Sequence, residues 1–300
     1  MSYRTRLDKA FRNAPVIPIS PCSRFCLISD CHRGDGTSND NFLKNQNLYF
    51  TALKHYYTQG FTYIELGDGD ELWEIHKMNQ IIEIHNNVFW LLSLFHKQNR
   101  LYLLYGNHDL EKKAPGYSDH VCGTYFCTDS QCHKPLFPDL TFYEGLILEN
   151  TCDKTRLYLT HGHQADFFNS VCWKLSRFLV RYFWQPLEHF GVLDPTSAAK
   201  NYTKKDRVEQ LLSDYATRND IYLITGHTHR PRLNADMPNY MNTGSCVHPR
   251  CITCMEIEGE AISLVKWTYD TKRDGTLYVH REVLTQLLLK NLLKHPNNTC

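Results

Sequence analysis

The most informative stretch of the chain reads RFCLISDCHR and runs from Arg24 to Arg33. Its first half is short, apolar and β-prone, and it leads directly into Asp30 and His32. Four later β-prone runs also end in polar residues, so we predict that chemically active side chains follow the carboxyl ends of five strands. The five polar segments are Asp30-Cys31-His32, Gly67-Asp68, Gly106-Asn107-His108-Asp109, His161-Gly162-His163 and Gly226-His227-Thr228-His229.

The residue types in these segments indicate a metal site. Asp, Asn and His supply the oxygen and nitrogen ligands that Mn²⁺, Fe and Zn²⁺ accept, and a carboxylate such as that of Asp68 can bridge two cations. Each segment alone is typical of a polar turn after a strand, but turns alone do not explain all of them in one chain. The sequence therefore predicts a hydrolytic site with two divalent cations. We expect Mn²⁺, with Fe or Zn²⁺ as alternatives.

The composition narrows the class of protein. The chain has 300 residues, of which 42% are hydrophobic, enough for one large α/β domain that carries an insertion. A formal net charge of +1 gives no overall attraction to nucleic acid, so we expect no nucleic-acid partner. Twelve cysteines spread along the chain, and an N-terminus without an apolar signal-peptide core, predict a reducing, cytoplasmic location.

The apolar runs are too short to cross a membrane. The longest compact one, Val88 to Phe95, is far below the ~20 residues that a spanning helix needs. We therefore expect a soluble protein, which leaves room for peripheral contact with the inner face of a membrane. The sequence leaves the oligomeric state open.

The order of the patterned segments predicts two packed sheets. Stretches with helical spacing, Asn41 to Gln59 and Leu72 to Gln98, separate the first three strands and predict a βαβαβ unit with a parallel core. Residues 110–138 are rich in Gly, Pro and polar residues and predict a long loop. A second sheet, packed on the first, is predicted from β-prone runs that follow one another closely at 140–148, 241–245, 251–257 and 261–267.

These patterns divide the chain into an N-terminal extension, a core, an inserted helical cap and a C-terminal amphipathic segment. The predicted cap is strongly apolar, and Lys174, Arg177 and Arg181 are spaced among its apolar residues. Such a segment either binds substrate or packs into a small core of its own. Leu284, Leu287 and Leu288 have helical spacing in the C-terminal segment. The predicted boundaries are 1–23 for the extension, 24–163 and 220–270 for the core, 164–219 for the cap and 271–300 for the last segment.

Taken together, the five polar segments resemble those of the calcineurin-like metallophosphoesterases, over about residues 24 to 267. This resemblance implies an α/β fold, a four-layer αββα sandwich, with two divalent cations at one edge of its paired sheets. It also implies a set of metal ligands. Asp30, His32 and His229 would hold one cation, Asn107, His161 and His227 the other, and Asp68 would bridge the two.

The resemblance implies roles for the neighbouring residues as well. His108 is similar to the family histidine that protonates the leaving oxygen or stabilises charge on the phosphoryl group, with a structural histidine as the alternative. Asp109 could orient the His108 ring, and Glu71 or Asp70, with Glu71 preferred, could support a ligand histidine. Arg33 could hold a substrate phosphate, although a solvated surface arginine is the alternative. His163 is expected to face the substrate or to support the site.

The run Glu71-Leu72-Trp73 and the cap make the chain resemble UDP-2,3-diacylglucosamine pyrophosphatases within that family. The expected reaction is hydrolysis of a phosphodiester or pyrophosphate bond by metal-activated water, in a small phosphoester such as a nucleotide-linked lipid. In that case the apolar cap would bury acyl chains while Arg177 or Arg181 meets phosphate. Phosphomonoesterase or nucleotidase activity, and a non-catalytic scaffold with this fold, are the alternatives.

Two groups of cysteines leave a further alternative open. Each group could contribute to a structural zinc site, but neither has paired Cys-x-x-Cys knuckles, and buried reduced thiols are the competing interpretation. One group lies in the predicted loop and the other near the late strands: Cys122, Cys127 and Cys132 with His133, and Cys246, Cys251 and Cys254.

Overall fold

The protein is described here by a computed structural model that covers residues 1–37, 40–75, 77–127, 130–180, 182, 202–234 and 237–289. The strands are β1 (Val16–Ile19), β2 (Arg24–Ile28), β3 (Thr62–Leu66), β4 (Leu101–Leu104), β5 (Thr124–Cys127), β6 (Cys132–Pro135), β7 (Phe142–Tyr143), β8 (Gly145–Asn150), β9 (Arg156–Thr160), β10 (Tyr222–Thr225), β11 (Tyr240–Asn242), β12 (Cys251–Glu258), β13 (Ala261–Thr271) and β14 (Leu277–Leu288). The α-helices are α1 (Tyr3–Arg12), α2 (Gln46–Thr58), α3 (Met78–Ile84), α4 (Asn86–Lys97), α5 (Tyr117–Val121), α6 (Phe167–Ser170), α7 (Trp173–Leu179) and α8 (Tyr202–Arg218).

Two mixed sheets form the centre of the molecule. The seven-stranded sheet has the order β14-β13-β12-β2-β3-β4-β7, and its β2, β3, β4 and β7 are parallel. The five-stranded sheet has the order β1-β8-β9-β10-β11, with β9, β10 and β11 parallel. Parallel neighbours end at the same edge of a sheet, so the carboxyl ends of β2, β3 and β4 lie side by side, as do those of β9 and β10.

The alternation of side chains along β2 shows why the sheets stack. Phe25 and Leu27 enter an apolar layer between the two sheets, whereas Cys26 and Ile28 point to the opposite face. Both sets are buried, as expected for a strand with both faces covered. The layer between the sheets also includes Ile64, Leu66, Leu104, Leu146, Leu148, Leu157, Leu159 and Ile224.

Helices cover the two outer faces. Leu48, Ala52 and Leu92 on α2 and α4 join the apolar cluster on the outer face of the seven-stranded sheet. Val208 and Leu212 on α8 join another cluster, with Leu7 of α1, on the five-stranded sheet. The order helix, sheet, sheet, helix confirms the predicted four-layer αββα sandwich.

The first residues of the chain and the last described ones belong to the two sheets and their outer layers, unlike the predicted division. The N-terminal residues 1–23 are not a separate extension, because β1 pairs with β8 and α1 packs on the five-stranded sheet. The prediction of a helix in the C-terminal segment is wrong for residues 277–288, which form a strand. This strand, Leu277–Leu288, pairs with β13, and Leu287 and Leu288 lie opposite Ile262 and Ala261. A register shift at Leu264 and Val265 leaves Leu284 without an opposed residue.

Two further segments differ from the predictions. The predicted loop 110–138 contains α5 and a hairpin formed by β5 and β6. The single strand predicted at 140–148 is split at Glu144, because β7 joins the seven-stranded sheet and β8 joins the five-stranded one.

The predicted cap is described in part. Its first portion is helical, in α6 and α7, but α8 belongs to the outer layer on the five-stranded sheet and not to a cap. The remainder, residues 181 and 183–201, lies outside the described residues. Among those that are described, no helix is both long and apolar enough to cross a membrane.

Candidate metal centre

The five polar segments meet at one edge of the paired sheets. Three of them follow β2, β3 and β4 of the seven-stranded sheet, and two follow β9 and β10 of the five-stranded sheet. The backbone turns sharply at these points. Left-handed φ angles occur at Asp30 (52°), His32 (49°), Asp68 (50°), His227 (69°) and His229 (55°). Such angles are uncommon outside glycine and cluster at functional sites, where the surrounding fold holds them in place.

Glycines let these turns approach one another. A Cβ at Gly106 would lie 2.2 Å from Asp68 Oδ1, and a Cβ at Gly226 would lie 2.4 Å from Asp30 Oδ2. Either contact is too short for a side chain. Gly106 and Gly226 are therefore needed for the close packing of the site.

Asp30, His32 and His229 form the first cluster of potential ligands. The Nε2 atom of His229 lies 3.0 Å from Asp30 Oδ1, and the Nε2 atom of His32 lies 3.9 Å from the same oxygen. Asp30 is fully buried and His32 nearly so. Three donor atoms thus surround one point at the end of β2.

Asp68, His161 and His227 form the second cluster. The Nε2 atom of His161 lies 3.0 Å from Asp68 Oδ2, and the same oxygen lies 3.8 Å from Nε2 of His32 in the first cluster. One carboxylate oxygen of Asp68 therefore faces both clusters. Asn107 follows β4 at the same edge, and its side chain is buried.

Most of the donor atoms in this region make no hydrogen bond, although some of them lie close to one another. Within the described part of the chain, no hydrogen bond reaches six buried atoms: Asp30 Oδ1, His32 Nε2, both amide atoms of Asn107, His161 Nε2 and His227 Nε2. A buried polar atom without a partner costs about 1–3 kcal/mol. Their number and chemistry fit a pair of divalent cations, since carboxylate, imidazole and amide groups are the ligands such cations bind.

Hydrogen bonds to the opposite atom of each side chain fix its orientation. His161 Nδ1 lies 2.8 Å from the carbonyl oxygen of Leu66, to which it donates, so Nε2 is left as the donor of an electron pair. Asp30 Oδ2 accepts the N–H of His227 at 2.9 Å and the hydroxyl of Ser29, while Oδ1 stays available. The sequence could not predict these contacts, because neither Ser29 nor the backbone carbonyl of Leu66 belongs to a recognisable metal-binding motif.

Glu71 connects the first cluster to His108. Its Oε2 lies 2.7 Å from His32 Nδ1, and its Oε1 lies 2.7 Å from His108 Nδ1. The indole of Trp73 stacks on the His108 ring with the centroids 4.2 Å apart. Glu71 thus orients a histidine of the cluster, as the sequence led us to prefer, and it also fixes His108.

Asp109 does not orient His108, which corrects the prediction. Its carboxylate accepts the backbone N–H of Gly106 at 2.6 Å and that of Gly69 at 3.1 Å, and it lies 2.6 Å from Lys112 Nζ. It is fully buried. Asp109 therefore ties the turn after β3 to the turn after β4 and has no contact with the imidazole among its described hydrogen bonds.

Arg33 is not placed to hold a substrate phosphate, which corrects a second prediction. Only 1% of the residue is exposed. Its Nη1 and Nη2 donate to the two oxygens of Glu65 at 2.8 and 2.9 Å, and its Nε donates to Asp70 at 2.7 Å. The guanidinium fork is already occupied by carboxylates inside the protein.

The acidic groups of the centre stay ionised at neutral pH. Burial alone would raise the pKa of Asp30, but His229 and His161 outweigh it and lower the pKa to about 2. Burial is likewise outweighed at Glu71, where His108 and His32 lower the pKa to about 2. Burial lowers the pKa of His229 to about 4. Burial is outweighed at His161, where Asp68 and Asp30 raise the pKa to about 9.

His163 is buried beside this cluster. Its ring centroid lies 5.5 Å from that of His161, and burial together with the neighbouring histidines lowers its pKa well below the usual value. Its position fits a supporting residue. Arg177 instead makes an ion pair with Glu111 and lies over the ring of Trp173, with Cζ 5.0 Å from the centroid. Arg181 lies outside the described residues.

Asp166 was not predicted. Its Oδ2 lies 3.5 Å from His227 Nε2 and 2.9 Å from Lys204 Nζ, and its Oδ1 accepts the N–H of Phe168 at the start of α6. Asp before a helical run is a typical N-cap signal, but the sequence does not show that the same carboxylate approaches a ligand histidine.

The fold and the site together define a four-layer α/β protein with a candidate centre for divalent cations. Neither a family model nor a curated protein sequence matches the chain. Among solved structures, it is similar to vacuolar protein sorting 29 from Cryptosporidium parvum, at 14% identity and a TM-score of 0.40, with 88% of this chain and 98% of that chain covered.

Two further structures show a likeness of the same size. For Vps29 of Chaetomium thermophilum, identity is 13% and the TM-score 0.41, with 90% of this chain and 98% of that chain covered. For a conserved uncharacterized protein of Streptococcus pneumoniae, described as a predicted phosphoesterase, identity is 14% and the TM-score is 0.34. The alignment covers 87% of this chain and 97% of that chain. At such scores, no function carries over from these proteins.

Proposed function

We propose that this protein is a calcineurin-like metallophosphoesterase that hydrolyses a phosphodiester or pyrophosphate bond with the help of two divalent cations. The observation that carries the proposal is the convergence of buried donor atoms without hydrogen-bond partners, supplied by both sheets at one edge. Mn²⁺ is our working choice of metal.

The geometry supports one division of the ligands. Asp30, His32 and His229 would hold one cation, while Asn107, His161 and His227 would hold the other. Asp68 would bridge them, because its Oδ2 faces both clusters. Two bound cations would lower the pKa of a water between them and neutralise charge on a phosphoryl group.

His108 is the side chain best placed to act on the leaving oxygen. Its side chain is 22% exposed, whereas those of Glu71 and His32 beside it are about half as exposed or less. Glu71 and Trp73 fix the orientation of the ring. A positioned imidazole can hand a proton to a leaving alkoxide or phosphate, or stabilise the charge that develops there.

For the substrate, we propose a small phosphoester that carries apolar groups, such as UDP-2,3-diacylglucosamine. In support, Phe167, Phe168, Leu175 and Phe178 of α6 and α7 expose half or more of their surface, shortly after His163 in the chain. Lys113, Lys174 and Arg177 surround the ring of Trp173 in the same region. Apolar surface beside cations suits acyl chains beside a diphosphate. For a protein that acts on such a substrate, we propose a cytoplasmic location with contact to the inner face of a membrane.

Hydrolysis assays with and without metal test the proposal. Metal-stripped protein is resupplied with Mn²⁺ and given an aryl phosphodiester and the matching monoester. We expect metal-dependent turnover of the diester that Asp68→Asn abolishes and the matched exposed variant Asp274→Asn retains. A preference for the monoester would favour a phosphomonoesterase or nucleotidase. No turnover of either ester, or of the nucleotide-linked lipid, would favour a scaffold.

A further inference from the structure

The hairpin of β5 and β6 places two cysteines opposite each other, and neither of them belongs to the clusters of potential metal ligands. Cys127 and Cys132 are direct partners in the antiparallel register. Opposed residues in such a pair have Cα atoms about 4.5–5.5 Å apart. This range falls within the span of roughly 4.4–6.8 Å that a disulfide bridges. The two thiols can therefore be joined without moving the strands.

The surroundings of Cys127 activate its thiol. Its Sγ lies 3.5 Å from Ser130 Oγ, and the same hydroxyl accepts a hydrogen bond from Lys134 Nζ at 2.7 Å. Hydrogen bonding from Ser130, followed by that from Lys134, lowers the pKa of Cys127 to about 7. A thiol with such a pKa is about half ionised near neutral pH, and the thiolate is the nucleophile in disulfide exchange.

Two other buried thiols, those of Cys122 and Cys26, lack this character. Burial raises the pKa of Cys122 to about 12, although it stands only five residues before Cys127. Burial also raises the pKa of Cys26 well above its usual value. The sequence alone groups Cys122, Cys127 and Cys132 together, but in the described residues the potential metal-binding clusters all lie at the centre described above.

The hairpin tip is reachable by small molecules. Cys132 is exposed, and Cys127, although largely buried, lines an open groove of about 470 Å³ with Phe50, Trp90 and Phe126. Asn86 Nδ2 donates to the carbonyl of Phe126 at 2.6 Å and anchors the hairpin to the start of α4. The groove thus offers a path for a small disulfide toward Cys127.

We propose that Cys127 and Cys132 form a reversible dithiol–disulfide pair that low-molecular-weight disulfides such as oxidised glutathione oxidise. The Cys127 thiolate attacks one sulfur of the small disulfide, forms a mixed disulfide and releases one thiolate. The Cys132 thiol then loses its proton and attacks Cys127 Sγ, which releases the second small thiol. The two protein thiols are oxidised, and one small disulfide is reduced to two thiols.

Peptide mapping of the full-length, metal-loaded protein tests this pair. The protein is incubated with oxidised glutathione near neutral pH, the remaining thiols are alkylated, and the peptides are analysed by mass spectrometry. We expect the peptide that contains both cysteines to lose two hydrogens and to regain them under a dithiol reductant. Modification confined to other exposed thiols, such as Cys22 and Cys152, would overturn the proposal.

Three variants separate the two steps. Cys132→Ser should stop at the mixed disulfide with glutathione on Cys127, whereas Cys122→Ser should behave as the native protein does. Lys134→Gln should slow the first step, because it removes the cation near the thiolate. Equal rates in the Lys134→Gln variant and the native protein would contradict the activation of Cys127. Trp90 fluorescence, from the same groove, gives a second readout on the folded protein.

Discussion

Glu71 and His108 are joined by a contact of 2.7 Å between Oε1 and Nδ1, while the other oxygen of Glu71 lies 2.7 Å from His32. One carboxylate thus positions both His32, a proposed ligand of the first cation, and His108, the proposed acid. We therefore expect a change at Glu71 to affect metal binding and proton transfer together.

We expect Glu71→Gln to lower kcat by about 10–100-fold, the usual cost of losing the partner of a metal-binding histidine. The amide keeps the shape of the side chain but cannot accept from both imidazoles as a carboxylate does. Steady-state kinetics with the diester measure the change, and the exposed Glu83→Gln on α3 is the matched control. An unchanged kcat would show that Glu71 has no part in catalysis.

Saturating Mn²⁺ should raise the melting temperature of the metal-stripped protein. The buried donor atoms without hydrogen-bond partners are present in the folded chain only, so metal binding stabilises that state. The gain is about 2.7 kcal/mol when the metal is at a hundred times its Kd. Thermal unfolding measures the shift, which His161→Gln should reduce and the exposed His120→Gln should preserve. Equal shifts in both variants would place the metal elsewhere.

We expect Arg33→Met to destabilise the fold by about 3–5 kcal/mol, because it leaves the carboxylate of Glu65 buried without its guanidinium partner and leaves Asp70 with Lys112 alone. Urea unfolding gives the value. The exposed pair of Arg24 and Glu258 supplies the control, since Arg24→Met should cost no more than about 1 kcal/mol. If Arg33 instead held substrate phosphate, Arg33→Met would raise KM and leave the free energy of unfolding unchanged.

The pair of Asp40 and His85 predicts an acid-dependent stability. Burial alone would raise the pKa of Asp40, but hydrogen bonds from His85 and from the N–H groups of Gly36 and Leu43 lower it. A folded-state pKa below the unfolded one adds stability above the unfolded value, and this stability is lost as pH falls through the folded value. Asp40→Asn should therefore destabilise the protein at neutral pH.

The difference between Asp40→Asn and the native protein should shrink as the pH falls below the usual pKa of aspartate, because the native carboxyl is then protonated as well. Urea midpoints at neutral and acid pH measure it, with the exposed Asp139→Asn as control. A difference that stays constant with pH would mean that the loss comes from packing and not from the charge.

Local patterns predicted two packed sheets and the polar segments at the site, whereas the four layers were implied by the resemblance to the metallophosphoesterases. A strand followed at once by Asp-x-His or Gly-His-x-His places polar side chains at a sheet edge whatever the rest of the chain does. The direction of a single side chain is different. Arg33 and Asp109 stand next to residues of the candidate centre, yet both point into the protein, where carboxylates or backbone N–H groups receive them.

Secondary structure was missed where a distant partner decides it. Leu284, Leu287 and Leu288 have a spacing that suits a helix, but β13 offers a long edge on which the same residues extend. Pairing with a neighbouring strand outweighs the local preference of a segment for helix or strand. The split of residues 140–148 at Glu144 has the same origin, because the two halves satisfy their backbones in different sheets.

The supply of donor atoms from both sheets has a consequence for assembly of the protein. The part of the chain up to the turn after β4 holds Asp30, His32, Asp68 and Asn107, but His161, His227 and His229 follow strands of the second sheet. Neither sheet alone supplies the complete set of proposed ligands. Under the proposed assignment, tight metal binding therefore requires both sheets to be folded and packed, and a chain truncated before the second sheet should not retain metal.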